Sequence, residues 1–228
     1  MEQRQHELMR ERMIAEIVGD AVFLTARLGK SSFAARVIEV MGRTPRHEFV
    51  PRELQEYAYA NAPLPVGYGK TISQPFIVAL MTDLLDPQPG DIALEVGAGV
   101  GYQAAILSEL ISQVYSVEII EELAQEARRR LQDLGYRNIE IRVGNGYYGW
   151  TDRAPFDKII VTAAPDLIPP PLIAQLKPGG KMVIPAGIPD KQQLLLLEKS
   201  EAGKLVTREV LPVRFSELEE GGGLAGAA

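Results

Sequence analysis

The segment Leu94-Glu-Val-Gly-Ala-Gly-Val-Gly-Tyr-Gln103 limits the folds open to this chain more than any other stretch. An apolar run carrying one acidic residue leads into three alternating glycines, and helix-compatible residues follow. Glycines at 97, 99 and 101 leave no side chain between the backbone and whatever lies over the turn. They also adopt backbone angles that other residues resist. A strand, a glycine turn and a helix in this order form a cradle for a nucleotide-type cofactor.

The spacing narrows the choice of cofactor. Dinucleotide turns read G-x-G-x-x-G and seat a pyrophosphate on the helix N-terminus. Here the pattern is E-x-G-x-G-x-G, and Glu95 stands where a pyrophosphate would meet an unwanted negative charge. A carboxylate there suits a cofactor carrying a cation or ammonium, such as S-adenosylmethionine. Glu118 ends the next apolar run, Val114-Tyr-Ser-Val-Glu118, where a carboxylate can accept hydrogen bonds from ribose hydroxyls. The alternatives are an NAD site and an ordinary tight βα turn with two incidental acids. The spacing favours adenosylmethionine over both.

The rest of the chain reads as one domain. Residues 3–18 are strong helix formers with Leu8, Ile14 and Ile17 available for packing, and a second helix is expected over 31–41. Pro45, Pro51, Pro63 and Pro65 then break any long helix. Gly67, Gly69 and Pro75 bracket the loop Lys70-Thr-Ile-Ser-Gln74, a type of segment that often carries function. From Asp91 onward strands and helices alternate, which implies a parallel sheet covered on both faces. Strands at 92–96 and 158–161 are apolar and read as central, whereas Ile139-Glu-Ile-Arg-Val143 alternates and reads as an edge. Between them a helix carries Leu123, Ala127, Leu131 and Leu134 on one face and stops at Gly135. Lys177-Pro-Gly-Gly180 reads as a turn introducing a strand. Strands at 192–199 and 204–211, joined by Ser200-Glu-Ala-Gly203, read as an antiparallel hairpin. The expected fold class is therefore α/β: a Rossmann-like methyltransferase fold, mostly parallel with an antiparallel C-terminal strand, preceded by an N-terminal helical segment.

Composition excludes several chemistries. The chain has no cysteine, so disulfides, thiolate metal sites and a cysteine nucleophile are ruled out. His6 and His47 are the only histidines, and no metal site is expected. A formal net charge of −6 gives no general affinity for nucleic acid, and Arg128-Arg-Arg130 reads as the solvated face of a helix. The first residues are polar and mixed in charge, unlike a secretory leader, and the apolar runs are too short to cross a bilayer. A cytoplasmic protein with no membrane or nucleic-acid partner is expected.

A family resemblance emerges from several stretches together. They are Pro45-Arg-His-Glu-Phe-Val-Pro51, Pro63-Leu-Pro-Val-Gly-Tyr-Gly69, Thr71-Ile-Ser-Gln-Pro75, 94–105, 156–165, Leu176-Lys-Pro-Gly-Gly180 and Leu211-Pro-Val-Arg-Phe215. Across 44–215 the chain resembles the protein-L-isoaspartate O-methyltransferases. The glycine turn alone would indicate a methyltransferase; the Thr-Ile-Ser-Gln-Pro loop is the more specific element. The resemblance implies methyl transfer from S-adenosylmethionine, leaving S-adenosylhomocysteine, to the carboxylate of L-isoaspartyl residues in damaged proteins or peptides. The ester then collapses to a succinimide, whose hydrolysis returns some aspartate. The single domain, 1–228, is expected to comprise a helical and substrate-loop segment (1–75), a cofactor-binding core (76–215) and a flexible tail (216–228), whose Gly- and Ala-rich end has too little to bury.

The same resemblance assigns site residues. Ser73 falls at the family's active-site serine and would hold the acceptor carboxylate; the competing structural role is a cap on the helix starting near Pro75. Thr71 and Ile72 would shape that loop over the cofactor. Gly97, Gly99 and Gly101 would pass the methionine portion, with Glu95, Tyr102 and Gln103 in the same cofactor set. Glu118, with Ile119 beside it, would take the ribose. Asn145 and Gly146, in Gly144-Asn-Gly146, stand where the family has Gly-Asp-Gly against adenine, although Asn-Gly is also a plain turn. The chain departs from the family pattern at Asn61-Ala62, Lys70, Ala98, Val100 and Asn145, and again after Phe215, where it reads Ser-Glu-Leu-Glu. A carboxyl methyltransferase with another acceptor and a catalytically silent cofactor-binding adapter are the alternative functions.

Overall fold

A computed structural model of the chain describes residues 2–25 and 29–219. Helix α1 (Glu2–Asp20) continues into a short 3-10 turn at Ala21–Leu24. Met13, Ile17, Ala21 and Leu24 form its buried stripe, at the three- and four-residue spacing of one helix face. Leu8, expected to pack, is half exposed instead, because that stripe runs through Met13. Helix α2 spans Ala35–Arg43, four residues later than its sequence suggested at the start. The cause is tertiary: Asp83 accepts hydrogen bonds from the Ala34 N–H (2.7 Å) and Lys30 Nζ (2.8 Å), holding the chain extended before Ala35.

Two short antiparallel strands, β1 (Leu64–Gly67) and β2 (Lys70–Ile72), carry the loop that ends at Ser73. Helix α3 (Pro75–Leu85) follows, with proline in its first turn, where the missing N–H costs nothing. It is buried nearly all round, because α1 and α2 cover one side and the main sheet the other.

The main sheet has seven strands in the order β5-β4-β3-β6-β7-β8-β9. They are β3 (Ile92–Val96), β4 (Gln113–Glu118), β5 (Ile139–Val143), β6 (Phe156–Val161), β7 (Leu176–Ala186), β8 (Gln192–Lys199) and β9 (Leu205–Val213). Strands β3 to β7 are mutually parallel, while β8 runs against β7 and β9 against β8. The antiparallel member is therefore β8, and the last strand returns to the common direction. β5 lies at one edge, as its alternating pattern suggested.

Helices α4 (Tyr102–Ser108), α5 (Glu121–Asp133) and α6 (Pro170–Gln175) connect these strands. In α5, Leu123, Ala127 and Leu131 are buried as expected. Lys177-Pro-Gly-Gly180 does not precede β7 but lies inside it, as a bulge between the pairs Phe156–Leu176 and Lys158–Lys181. Asp157 sits opposite and binds Lys177 Nζ at 2.8 Å, so the register shift carries an ion pair.

β3 has β4 on one side and β6 on the other, so the crossovers diverge from its carboxyl end. That switch point leaves a crevice in which ligands of open α/β sheets bind. The turn of residues 97–101 lies in it. Among the described residues no helix is long and apolar enough to cross a membrane. Residues 220–228, most of the expected loose tail, lie outside the described residues. Residues 216–219 are bound to the loop after β6: Ala164 donates to the Ser216 carbonyl at 2.8 Å, and Leu218 to the Ala164 carbonyl at 2.9 Å.

Candidate active site

A cavity of about 980 Å³ opens over the glycine turn. Gly97 (φ +93°) and Gly99 (φ +52°) both line it in the left-handed region. A Cβ on Gly97 would approach Thr162 Oγ1 to 2.5 Å, so the position excludes any side chain. Thr162 fixes the turn from the β6 side, donating to the carbonyls of Gly97 (2.7 Å) and Val96 (3.1 Å). From the other side the Gly97 N–H donates to the Val117 carbonyl at 2.8 Å. Gly101 serves packing instead and lies off the cavity wall: a Cβ there would press on Leu131 of α5 at 3.0 Å.

Glu118 lies on the cavity wall at the end of β4 and is nearly buried. Its carboxylate accepts from the Gly99 N–H at 2.8 Å and from the Ile120 N–H at 3.0 Å. Each oxygen keeps one further acceptor direction. Ile119 and Gly146 complete this side of the wall. Asn145 does not reach it: its side-chain oxygen caps the short turn at Gly146–Tyr148 by accepting from the Tyr147 N–H at 2.9 Å.

Glu95 also lies off the cavity. Alternation along β3 turns it away from Val96, which does line the wall. It is fully buried, with Ser116 Oγ donating to one carboxyl oxygen. Burial, reinforced by the nearby Glu118 charge, pushes its pKa up to about 8. The upward shift favours the neutral acid, a poorer partner for a cation than an exposed carboxylate.

This burial has a measurable consequence. The folded pKa lies above the ordinary value, so the folded state binds the extra proton and stability falls as pH rises toward 8. Between about pH 6 and pH 8 the loss attributable to Glu95 amounts to about 2 kcal/mol. Glu95→Gln should flatten that part of the curve in urea titrations run across the range. An unchanged slope would rule out Glu95 as its source.

On the opposite wall, Thr71, Ile72 and Ser73 face the same cavity. Ser73 is half buried, and its hydroxyl makes no hydrogen bond among the described residues. It does not cap α3; the N-cap is Gln74, which makes no side-chain cap bond. Gln103 Nε2 donates to Thr82 Oγ1 at 3.0 Å, joining α4 to α3 across the cavity floor.

Arg46 was not among the expected site residues, although its proline-bracketed segment stood out. It is fully buried, donating from Nε to the Ala58 carbonyl (2.8 Å) and from Nη2 to the Ser73 carbonyl (2.7 Å). Its guanidinium lies 4.8 Å from the centroid of the Tyr102 ring, which lines the cavity next to the glycine turn. Burial, opposed by Tyr102, lowers the Arg46 pKa, and burial pushes the Tyr102 hydroxyl up to about 12. Phe215 and residues 216–219 also line the cavity, although 216–219 were expected to belong to a flexible tail.

A glycine turn at the switch point, with an acidic residue ending the neighbouring strand, defines a Rossmann-like protein of the methyltransferase class. More narrowly, the chain belongs to the protein-L-isoaspartate(D-aspartate) O-methyltransferase family, whose model matches residues 23–222. It is 59% identical over 220 residues to protein-L-isoaspartate O-methyltransferase 1 of Polaromonas sp. (strain JS666 / ATCC BAA-500), covering 96% of this chain and 93% of that relative. The corresponding protein 2 of Syntrophobacter fumaroxidans is 56% identical, covering 93% of this chain and 86% of the relative. A solved protein-L-isoaspartate O-methyltransferase superposes with a TM-score of 0.78 at 28% identity, covering 95% of this chain and 67% of that one.

Proposed function

We propose that this protein transfers a methyl group from S-adenosylmethionine to the free α-carboxylate of L-isoaspartyl residues in damaged proteins and peptides, starting their return to aspartate through a succinimide. One observation carries the reading: Ser73, whose hydroxyl makes no hydrogen bond among the described residues, lines the same cavity as the glycine turn and Glu118.

The residues present fit the cofactor. The cavity is of the size that takes such ligands, and Gly97 and Gly99 expose bare backbone to it. Glu118 would take the ribose hydroxyls on its unused acceptor directions. Thr71, Ile72, Tyr102, Gln103, Ile119 and Gly146 would enclose the remainder. Glu95, Gly101 and Asn145 act one layer back, on the shape of the turns. When bound, S-adenosylmethionine supplies an electrophilic methyl group on a sulfonium.

The chain's own task is small in chemistry and strict in geometry. An acceptor carboxylate is already ionised at neutral pH, so no general base is required. What remains is orientation, the contribution proximity makes to catalysis. Ser73 Oγ would donate to one carboxylate oxygen and aim the other, while Arg46 fixes Ser73 through its carbonyl.

Radiolabelled methyl transfer to an isoaspartyl peptide and to its ordinary aspartyl counterpart tests the proposal. Label should enter the first peptide and not the second. Equal labelling, or none, would point to another acceptor.

A further inference from the structure

A second, smaller cavity of about 340 Å³ adjoins the first, and the two share Lys70, Arg214, Phe215, Ser216, Glu217 and Glu219 in their walls. One ion pair stands on this divide. Lys70 Nζ lies 2.5 Å from Glu219 Oε1, joining residues 149 positions apart. Behind Glu219 the chain is fixed by the Ser216 and Leu218 backbone bonds to Ala164, and by the Phe215 N–H donating to Gln192 Oε1 at 2.6 Å. The two partners differ in how firmly they belong to the wall. The Lys70 side chain is 21% exposed and sits three residues before Ser73, whereas that of Glu219 is 56% exposed.

We infer, resting on the methyl-transfer reading above, that Lys70 receives the anionic acceptor at the cavity mouth and that Glu219 occupies Lys70 until the acceptor displaces it. Glu219 carries the same functional group as the acceptor, so it is a built-in competitor for one cation. An exposed ion pair of this kind contributes little stability, so its exchange for another carboxylate costs little. Opening it joins the two cavities into one groove. A polypeptide acceptor needs such a groove, because its chain must leave the reacting residue in two directions.

The two members of the pair then have opposite effects on the same kinetic constant. Lys70→Gln removes the receiving cation and should raise KM for an isoaspartyl peptide roughly tenfold. Lys70→Arg should restore most of it. Glu219→Gln removes the competitor and should lower KM, by up to about fivefold. S-adenosylhomocysteine affinity, followed by calorimetry, should stay at the wild-type value in all three and reports intact folding of the core. If both neutral variants shift KM in the same direction, or neither shifts it, the pair is a structural strap and the inference is overturned. A wild-type protein that methylates no isoaspartyl peptide would instead bring down the proposed function, and this inference with it.

Discussion

Ser73→Ala is expected to reduce methyl transfer to an isoaspartyl peptide by roughly ten- to a hundredfold while leaving S-adenosylhomocysteine binding within about twofold of wild type. The reasoning turns on what the reaction lacks. An ionised carboxylate needs no proton removed, so the protein contributes mainly by aiming it. Ser73 Oγ has no competing partner among the described residues and lies on the cavity wall. Its removal deletes a hydrogen bond to a charged group without leaving a buried donor stranded. The side chain also takes no part in the α3 cap, which begins at Gln74, so the fold should survive. Single-turnover transfer and a calorimetric titration on the same sample separate the two effects. Unchanged turnover would remove Ser73 from the mechanism; lost cofactor binding would assign it to the wall rather than to the acceptor.

The parts of this site that were legible in sequence are those written in local chemistry. Gly97 and Gly99 announce a turn because both sit at positive φ, and at Gly97 the approach of Thr162 leaves no room for a side chain. Glu118 announces itself by ending a strand beside that turn. Glu95 shows where such reading fails. Its position in the motif suggested a charge partner for the cofactor, but strand alternation buries it off the cavity, and burial raises its pKa. Asn145 fails for a related reason: its oxygen is spent one turn away, on the Tyr147 N–H. Gly101 was correctly singled out as a glycine with the wrong neighbour in mind, since Leu131 comes from a helix thirty residues later. The start of α2 moved because Asp83, remote in sequence, holds the preceding strand of chain. Arg46 and the 216–219 segment were illegible for the same cause. Their importance lies in what they touch, and those contacts span the length of the chain.

Arg46→Ala is expected to be the most damaging single change, destabilising the protein by about 3–5 kcal/mol and lowering its melting temperature by about 10 °C. Three losses combine. The carbonyls of Ala58 and Ser73 lose their guanidinium donors, the Tyr102 ring loses the cation over its face, and a large void opens at a fully buried position. Arg46→Lys separates the structural contribution from the catalytic one. Lysine keeps the charge and much of the stem, but a single ammonium cannot reproduce the planar fork that reaches two carbonyls from two nitrogens. The lysine variant should therefore recover much of the thermal stability in a melting experiment and remain low in kcat, because the Ser73 carbonyl is no longer held in register with the cofactor side of the cavity. Recovery of stability and kcat in equal measure would make Arg46 a packing residue alone. A kcat deficit that outlasts the recovery of stability would mark it as the link that positions Ser73 against the helix following the glycine turn.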